Sequence, residues 1–300
     1  MDKIIFLKPF LKSVLWGGDN LRKLYKTEQK NIGEAWLISA IENYESTIIN
    51  KDYKNIKLND FFKQNKEFFL NYKGEYPNLT KFIDTKDNLS IQVHPDDEMA
   101  REQHNSFGKD ECWYVLDHPS EKSVIGLKKG RKSRIINDLR NNKIKKWLKF
   151  DFLMKDDFLY IPAGMVHGLA KNMFVYELQQ SSDITYRIYD YDRVDLNGEG
   201  RQLHIKEAIK AIKTDINEEP IIVLTEDLIQ NKYFNLNRFV ISSPKAISLE
   251  DNKWAEVVVV EGNGFVNDMP IKKGSAFLVS GLLKEFKVKG SLTIMVNFVK

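Results

Sequence analysis

The stretch Leu89-Ser90-Ile91-Gln92-Val93-His94-Pro95-Asp96-Asp97-Glu98, closing on Lys109-Asp110-Glu111-Cys112-Trp113-Tyr114-Val115, decides how the chain is read. Gln92 and His94 are two apart, so on a strand both side chains point to one face while Ile91 and Val93 point to the other. Pro95 has no N–H to give a ladder and ends the strand. Asp96 is suited to cap a short helix, with Asp97 and Glu98 favourable at its positive end. The chain then returns over 111–115 as a second strand that opens on Glu111. A strand bearing Gln-x-His, followed by a return that starts with Glu, is the layout of a metal site. Cys112 points away from Glu111 on an alternating strand and reads as packing.

A further imidazole comes from Pro162-Ala163-Gly164-Met165-Val166-His167, where Pro162 and Gly164 shape a turn out of a strand over 158–161. Gln92, His94, Glu111 and His167 together make an N2O2 set with one negative charge. Such a set is acceptable to Zn²⁺, Fe²⁺, Co²⁺ or Mn²⁺ and leaves positions open for water or substrate. A lone histidine is ordinarily a hydrogen-bonded core or surface residue, and His104, His118 and His204 are read that way.

Composition sets the outer limits. Three hundred residues at 42% hydrophobic content make one large or two medium domains with a sizeable core. A net charge of +4 gives no case for a nucleic-acid partner. The basic run over 131–149 carries apolar residues at helical spacing, and reads as two short amphipathic helices broken at Asn141-Asn142, with solvated cationic faces. The single cysteine excludes an internal disulfide and fits a reducing, cytoplasmic compartment. The apolar run Ile4-Ile5-Phe6-Leu7 is too short for a signal peptide, and nowhere do about 20 apolar residues run together, so no membrane partner is expected. The assembly state stays open between monomer and homodimer.

Strands are expected over 3–12 with a bend at Pro9, then over 33–39, 46–50, 79–84, 123–127, 174–179 and 186–189. Helices are expected over 20–25, 203–214 and, once or twice, within 58–70. Residues 215–220 read as a connector. Beyond them the chain shows only strands, over 233–241, 254–261, 264–266, 276–279, 286–288 and 292–298, punctuated by glycines. That pattern argues a small antiparallel barrel or sandwich, and it contains neither His nor Cys.

Four motifs carry a family resemblance. They are Ser90 to Pro95, Lys109 to Val115, Ile161 to Gly168, and Thr185-Tyr186-Arg187-Ile188-Tyr189-Asp190-Tyr191-Asp192-Arg193. Together they closely resemble the type I mannose-6-phosphate isomerases, best in their short bacterial branch, and the likeness extends over nearly the whole chain. It implies a mainly β protein of two cupin-like jelly-roll barrels with a few short helices. A metal-binding catalytic cupin domain with helical insertions would occupy 1–219. A smaller cupin-like barrel without ligands would occupy 220–300.

The resemblance further implies one zinc ion per chain on His94, Glu111 and His167 with Gln92, a catalytic-site Arg187, and Lys109 lining the same pocket. Arg187 is a rigid fork suited to a phosphate or an enediolate oxygen, and Lys109 is a mobile point charge that serves either. Without the resemblance, Arg187 reads equally well as an ion pair with Asp190 or Asp192. Ser90 and Trp16 are assigned to substrate binding, with Arg193 as a helper and Glu34 in the pocket wall. The implied activity is the interconversion of mannose 6-phosphate and fructose 6-phosphate, small sugar phosphates, through a cis-enediol. The alternatives are a non-catalytic cupin that binds a sugar or sugar phosphate, or another metal-cupin enzyme such as an Fe²⁺ dioxygenase. The chain departs from the family at Asp156, where glycine is usual, and in the weakly apolar Asn78-Leu79-Thr80. Both departures concern local geometry away from the ligands.

Overall fold

The computed structural model describes residues 2–300 apart from 118–120, 195–197, 217, 224 and 250, so His118 lies outside the described residues. The chain is mainly β, and its strands form three antiparallel sheets. One holds, in order, Ile221–Ile222, Asp157–Ile161, Glu111–Val115, Phe174–Gln180, Asn78–Asp84, Ile32–Ile38 and Phe10–Gly18. A second holds Tyr186–Tyr189, Ile91–Val93, His167–Gly168, Ser123–Leu127 and Leu148–Asp151. The third is built on Asn235–Ile241, Glu285–Val299, Trp254–Val266, Ala276–Ser280 and Ile4–Lys8. The strand order of the first two is linear, the third carries side pairings of Lys245–Ser248 with Glu285–Val299 and of Met269–Lys272 with Trp254–Val266, and none closes on itself among the described residues.

Alternation along single strands decides which layer each side chain joins. On Glu111–Val115, Cys112 and Tyr114 enter one apolar cluster, while Trp113 and Val115 enter another that fills the space between the first two sheets. Cys112 is fully buried on the side away from Glu111, as its parity requires. On Trp254–Val266, Ala255, Val257 and Val259 pack within the third sheet, whereas Trp254, Val258 and Val260 face the first. The helix Leu58–Gln64 buries Leu58, Phe61 and Phe62, and the Trp254 ring lies 6.2 Å from Phe62 and 5.1 Å from Phe69. The outer face of the second sheet is covered by the helices Lys132–Arg140 and Ile205–Ala211. The basic run therefore buries Ile135, Leu139 and Ile144 and leaves its cations in water. Among the described residues no helix is long and apolar enough to cross a membrane.

Some boundaries differ from expectation for identifiable reasons. Pro9 does more than bend a strand: Ile4–Lys8 joins the third sheet beside Ala276–Ser280, and Phe10–Gly18 joins the first. The glycines at 262 and 290 lie within continuous strands rather than between short ones. Gly262 has φ 76, and a Cβ there would stand 2.1 Å from the Ser291 carbonyl oxygen, so glycine is what lets the neighbouring strand approach. The helix expected over 203–214 stops at Ala211, because Ile212 turns extended and the Lys213 N–H donates to the Gly164 carbonyl at 3.0 Å. Asp156 has φ 72, the left-handed region that explains the usual glycine, and its carboxylate accepts from the Tyr114 hydroxyl.

Candidate metal centre

Register places the site residues in rows. Gln92 pairs across the second sheet with His167 on one side and with Arg187 on the other, so the three stand abreast. In the facing sheet Glu111 pairs with Gln179, and Glu177 with Lys81. His94 lies one residue past its strand, held there by the Gly164 N–H, which donates to the His94 carbonyl at 3.0 Å. Asp96 caps the following helix Asp97–His104 through the Met99 N–H at 3.2 Å, as the sequence predicts.

His94, Glu111 and His167 are buried, and their ligating atoms all lie within 4.8 Å of one another. Each imidazole presents the same nitrogen inward. His94 Nδ1 is 2.9 Å from the Ile184 carbonyl and His167 Nδ1 is 2.9 Å from the Met165 carbonyl. A carbonyl only accepts, so each Nδ1 carries the hydrogen and each Nε2 turns a lone pair to the centre. Nε2 of His94 stands 3.4 Å from one Glu111 oxygen and Nε2 of His167 stands 3.2 Å from the other.

Burial, and then the Lys109 charge, push the His94 pKa down to about 3, so its ring is neutral at physiological pH. Burial works against the Glu111 carboxylate, yet Lys109 and the two imidazoles hold it well below the usual range. His94 Nε2 and both Glu111 oxygens are buried without a hydrogen bond. Three acceptors aimed at one point are satisfied together by a cation, and N and O donors of this kind suit a divalent metal. Gln92 sets its amide 3.2 Å from His167 Nε2, at the edge of the same point. Trp113 stacks edge-on against the His167 ring at 5.4 Å.

Above the centre opens a cleft of about 380 Å³. Gln92 and Lys109 line it and also touch the ligand set, with Lys109 Nζ 3.3 Å from Glu111. Trp16, Glu34, Ser90 and Arg187 line it as well, so the structure brings those residues together. Arg193 is turned away, to the Asn88 carbonyl and Asp190. Asp190 pairs with Arg193 and Arg201, which leaves Arg187 bonded to the Gln202 carbonyl at 2.8 Å with its Nε buried and unpartnered. Burial and the neighbouring Arg201 guanidinium push the Arg187 pKa down, so the group gains from an anion in the cleft.

Lys81, Glu177 and Arg201 line the cleft as well, and none was anticipated from the sequence. Lys81 lies 3.0 Å from Glu177, 2.7 Å from the Gln179 side chain and 3.4 Å from Glu34. Trp113 Nε1 donates to Glu177 at 2.8 Å. Arg201 reaches the cleft from a loop. Glu177-x-Gln179 repeats the polar alternation of Gln92-x-His94 within an apolar strand and was the available signal for Glu177. His104 and His204 do ordinary work, the first hydrogen-bonded to the Tyr186 hydroxyl and the second accepting from the Arg187 N–H.

Facing antiparallel sheets that gather two imidazoles and a carboxylate beneath a polar cleft define a β protein with a candidate metal centre. Comparison with known proteins narrows this. Residues 4–127 match the family model for the catalytic domain of type I phosphomannose isomerase, and residues 225–299 match that for the mannose-6-phosphate isomerase cupin domain. The chain is 32% identical to mannose-6-phosphate isomerase ManA of Bacillus subtilis over 98% of both chains. It is 31% identical to the mannose-6-phosphate isomerase of Streptococcus mutans over 99% of this chain and 98% of that one. The crystal structure of the mannose 6-phosphate isomerase from Bacillus subtilis superposes with a TM-score of 0.90 at 32% identity, covering 99% of each chain. A phosphomannose isomerase variant from Salmonella typhimurium shares the fold at 15% identity and a TM-score of 0.75. The chain belongs to the type I mannose-6-phosphate isomerase family.

Proposed function

We propose that this chain interconverts mannose 6-phosphate and fructose 6-phosphate through a cis-enediol, as a zinc-dependent enzyme with one ion held by His94, Glu111, His167 and Gln92. The observation that carries the reading is the trio of buried acceptors converging without a hydrogen bond beneath a cationic cleft. Bound there, the cation would stabilise negative charge developing on the two adjacent sugar oxygens, help of a kind worth roughly 100-fold or more in rate.

The chain's own residues supply the rest. The Nδ1 bonds to Ile184 and Met165 fix both ring orientations before substrate arrives. Arg187 meets the substrate as a preoriented fork, and Arg201 adds a second guanidinium, already locked on Asp190, for a dianionic phosphate. Lys109, between the centre and the cleft, balances the charge that develops on a sugar oxygen. Trp16 and Ser90 shape the wall around the sugar.

Two cupin-like barrels, over 1–219 and 220–300, are part of this proposal, supported by the cupin-domain match at 225–299. In that division Ile4–Lys8 contributes to the sheet of the second unit. A cytoplasmic setting suits a sugar-phosphate substrate and the free, buried thiol of Cys112. A coupled isomerase assay tests the function: turnover should vanish on chelation and return with Zn²⁺, and a metal-loaded protein without turnover overturns it.

A further inference from the structure

Two carboxylates that contact no metal-ligating side chain tie together the three segments that carry the ligands. Asp110, next to Glu111, accepts from the Ala163 N–H at 3.2 Å and from the Tyr160 hydroxyl. Ala163 belongs to the turn that delivers His167. Asp97, in the segment after His94, accepts from the Gln180 side-chain amide at 2.9 Å and from the Gly108 N–H at 3.1 Å. It also accepts from the Tyr233 hydroxyl at 2.8 Å and the Lys232 ammonium at 2.9 Å.

Gln180 bridges the two. Its side-chain oxygen accepts from the Asp110 N–H at 3.0 Å, and its backbone N–H donates to the Asp110 carbonyl at 3.1 Å. Lys232 and Tyr233 come from elsewhere in the fold, the link between Asp227–Gln230 and Asn235–Ile241 of the third sheet. Cohesion between the first and third sheets is already supplied by the aromatic cluster around Trp254, Phe69 and Tyr76. The polar chain runs instead to the parts of the backbone that the sheets leave free, residues 95–97, 108–110 and 162–164.

We propose that Tyr233 and Lys232 are positioning residues for the metal centre, acting through Asp97, Gln180 and Asp110 to set the spacing of His94, Glu111 and His167. The inference rests on the metal reading of the site, and it assigns the third sheet a part in catalysis that its lack of ligands conceals. Ligand geometry is sensitive to such outer contacts, which are worth 10- to 100-fold in affinity or activity where they touch the ligand itself. Here the contact is with the backbone beside the ligand, so the effect falls at the low end of that range.

The test compares the parent with the double variant Lys232→Met/Tyr233→Phe, whose apolar packing is retained, and with Asp97→Asn, which keeps only one of the two acceptor oxygens. The readouts are Zn²⁺ affinity by chelator competition, the visible absorption of the Co²⁺-loaded protein, kcat and KM separately, and thermal unfolding of the metal-free protein. The double variant should bind Zn²⁺ roughly tenfold more weakly, show a shifted Co²⁺ spectrum, and lose kcat at unchanged KM. Asp97→Asn, which turns an amide N–H toward one of the two donor pairs, should lose at least as much. Parent-like affinity and spectrum, whether or not the melting temperature drops, overturn the proposal. A parent that takes up no metal overturns the metal reading and this inference with it. A parent that binds metal but does not isomerise the sugar phosphate overturns the functional reading alone.

Discussion

His167 and Glu111 belong to different sheets, and yet His167 Nε2 stands 3.2 Å from a Glu111 oxygen with Trp113 packed edge-on against the ring. The centre is therefore a seam, assembled only when two independently hydrogen-bonded ladders face each other at the right separation. Removing one side of that seam gives the simplest prediction. Glu111→Gln keeps the volume and deletes the only negative charge of the cluster. It should lower bound metal to trace levels and activity by roughly 100-fold or more, measured by metal analysis beside the coupled assay. Full metal content in the variant would argue against the carboxylate as a ligand.

Arg187→Ala addresses the other end of the cleft. A charge-assisted contact to phosphate contributes about 1.5–3 kcal/mol, so KM should rise roughly ten- to hundredfold while metal content stays at the parent level. Inhibition by inorganic phosphate should weaken in parallel. An unchanged KM would move the phosphate away from this guanidinium.

Lys81 is 5% exposed and surrounded by Glu34, Glu177 and Gln179. Breaking such a pair leaves a buried charge without its partner, at about 3–5 kcal/mol. Lys81→Met should therefore unfold at markedly lower urea, and the double variant Lys81→Met/Glu177→Gln should recover part of the loss. Independent effects of the two substitutions would show that the pair is not coupled.

Glu256, on the strand Trp254–Val266 of the third sheet, supplies a pH dependence. It is 1% exposed, receives the Asn297 side-chain N–H at 2.9 Å, and burial pushes its carboxyl above the ordinary 4.5. A carboxyl raised in the folded state holds its proton more tightly there than in the unfolded chain. Its contribution to stability is complete below pH 4.5 and is lost as pH rises through the folded value. Glu256→Gln removes that loss. Urea unfolding should show the variant gaining on the parent between pH 4 and 7, with the difference closing toward pH 4. A constant difference across that range would mean that Glu256 ionises normally.

How much of this was legible in the sequence depends on how local the determinant is. Gln92-x-His94, the outward parity of Cys112, the Asp96 cap and the Pro162–His167 turn are set within a few residues, and each stands where the sequence puts it. Lys81 and Arg201 gave no such sign, because a lysine or arginine in sequence shows nothing of the carboxylates that a distant strand or loop brings to it. Gly262 and Gly290 misled in the opposite direction. A glycine that ends a strand and one that admits a close neighbour look the same until the neighbour is known. The contact of Tyr233 with Asp97 was equally invisible, resting on side chains far apart in the chain.

The pairing of Ile4–Lys8 with Ala276–Ser280 bears on how the protein comes to exist at all. Two segments far apart in the chain must meet before that ladder can form, whereas the other edge of Ile4–Lys8 pairs with the nearer Thr47–Ile48. Until then one edge of Ile4–Lys8 offers open backbone groups beside apolar side chains, the kind of edge that recruits a wrong neighbour. Closure of so long a loop makes folding slow relative to locally connected proteins of the same size. The interval before Ala276–Ser280 docks on that edge should thus be the stage at which this chain is lost to aggregation.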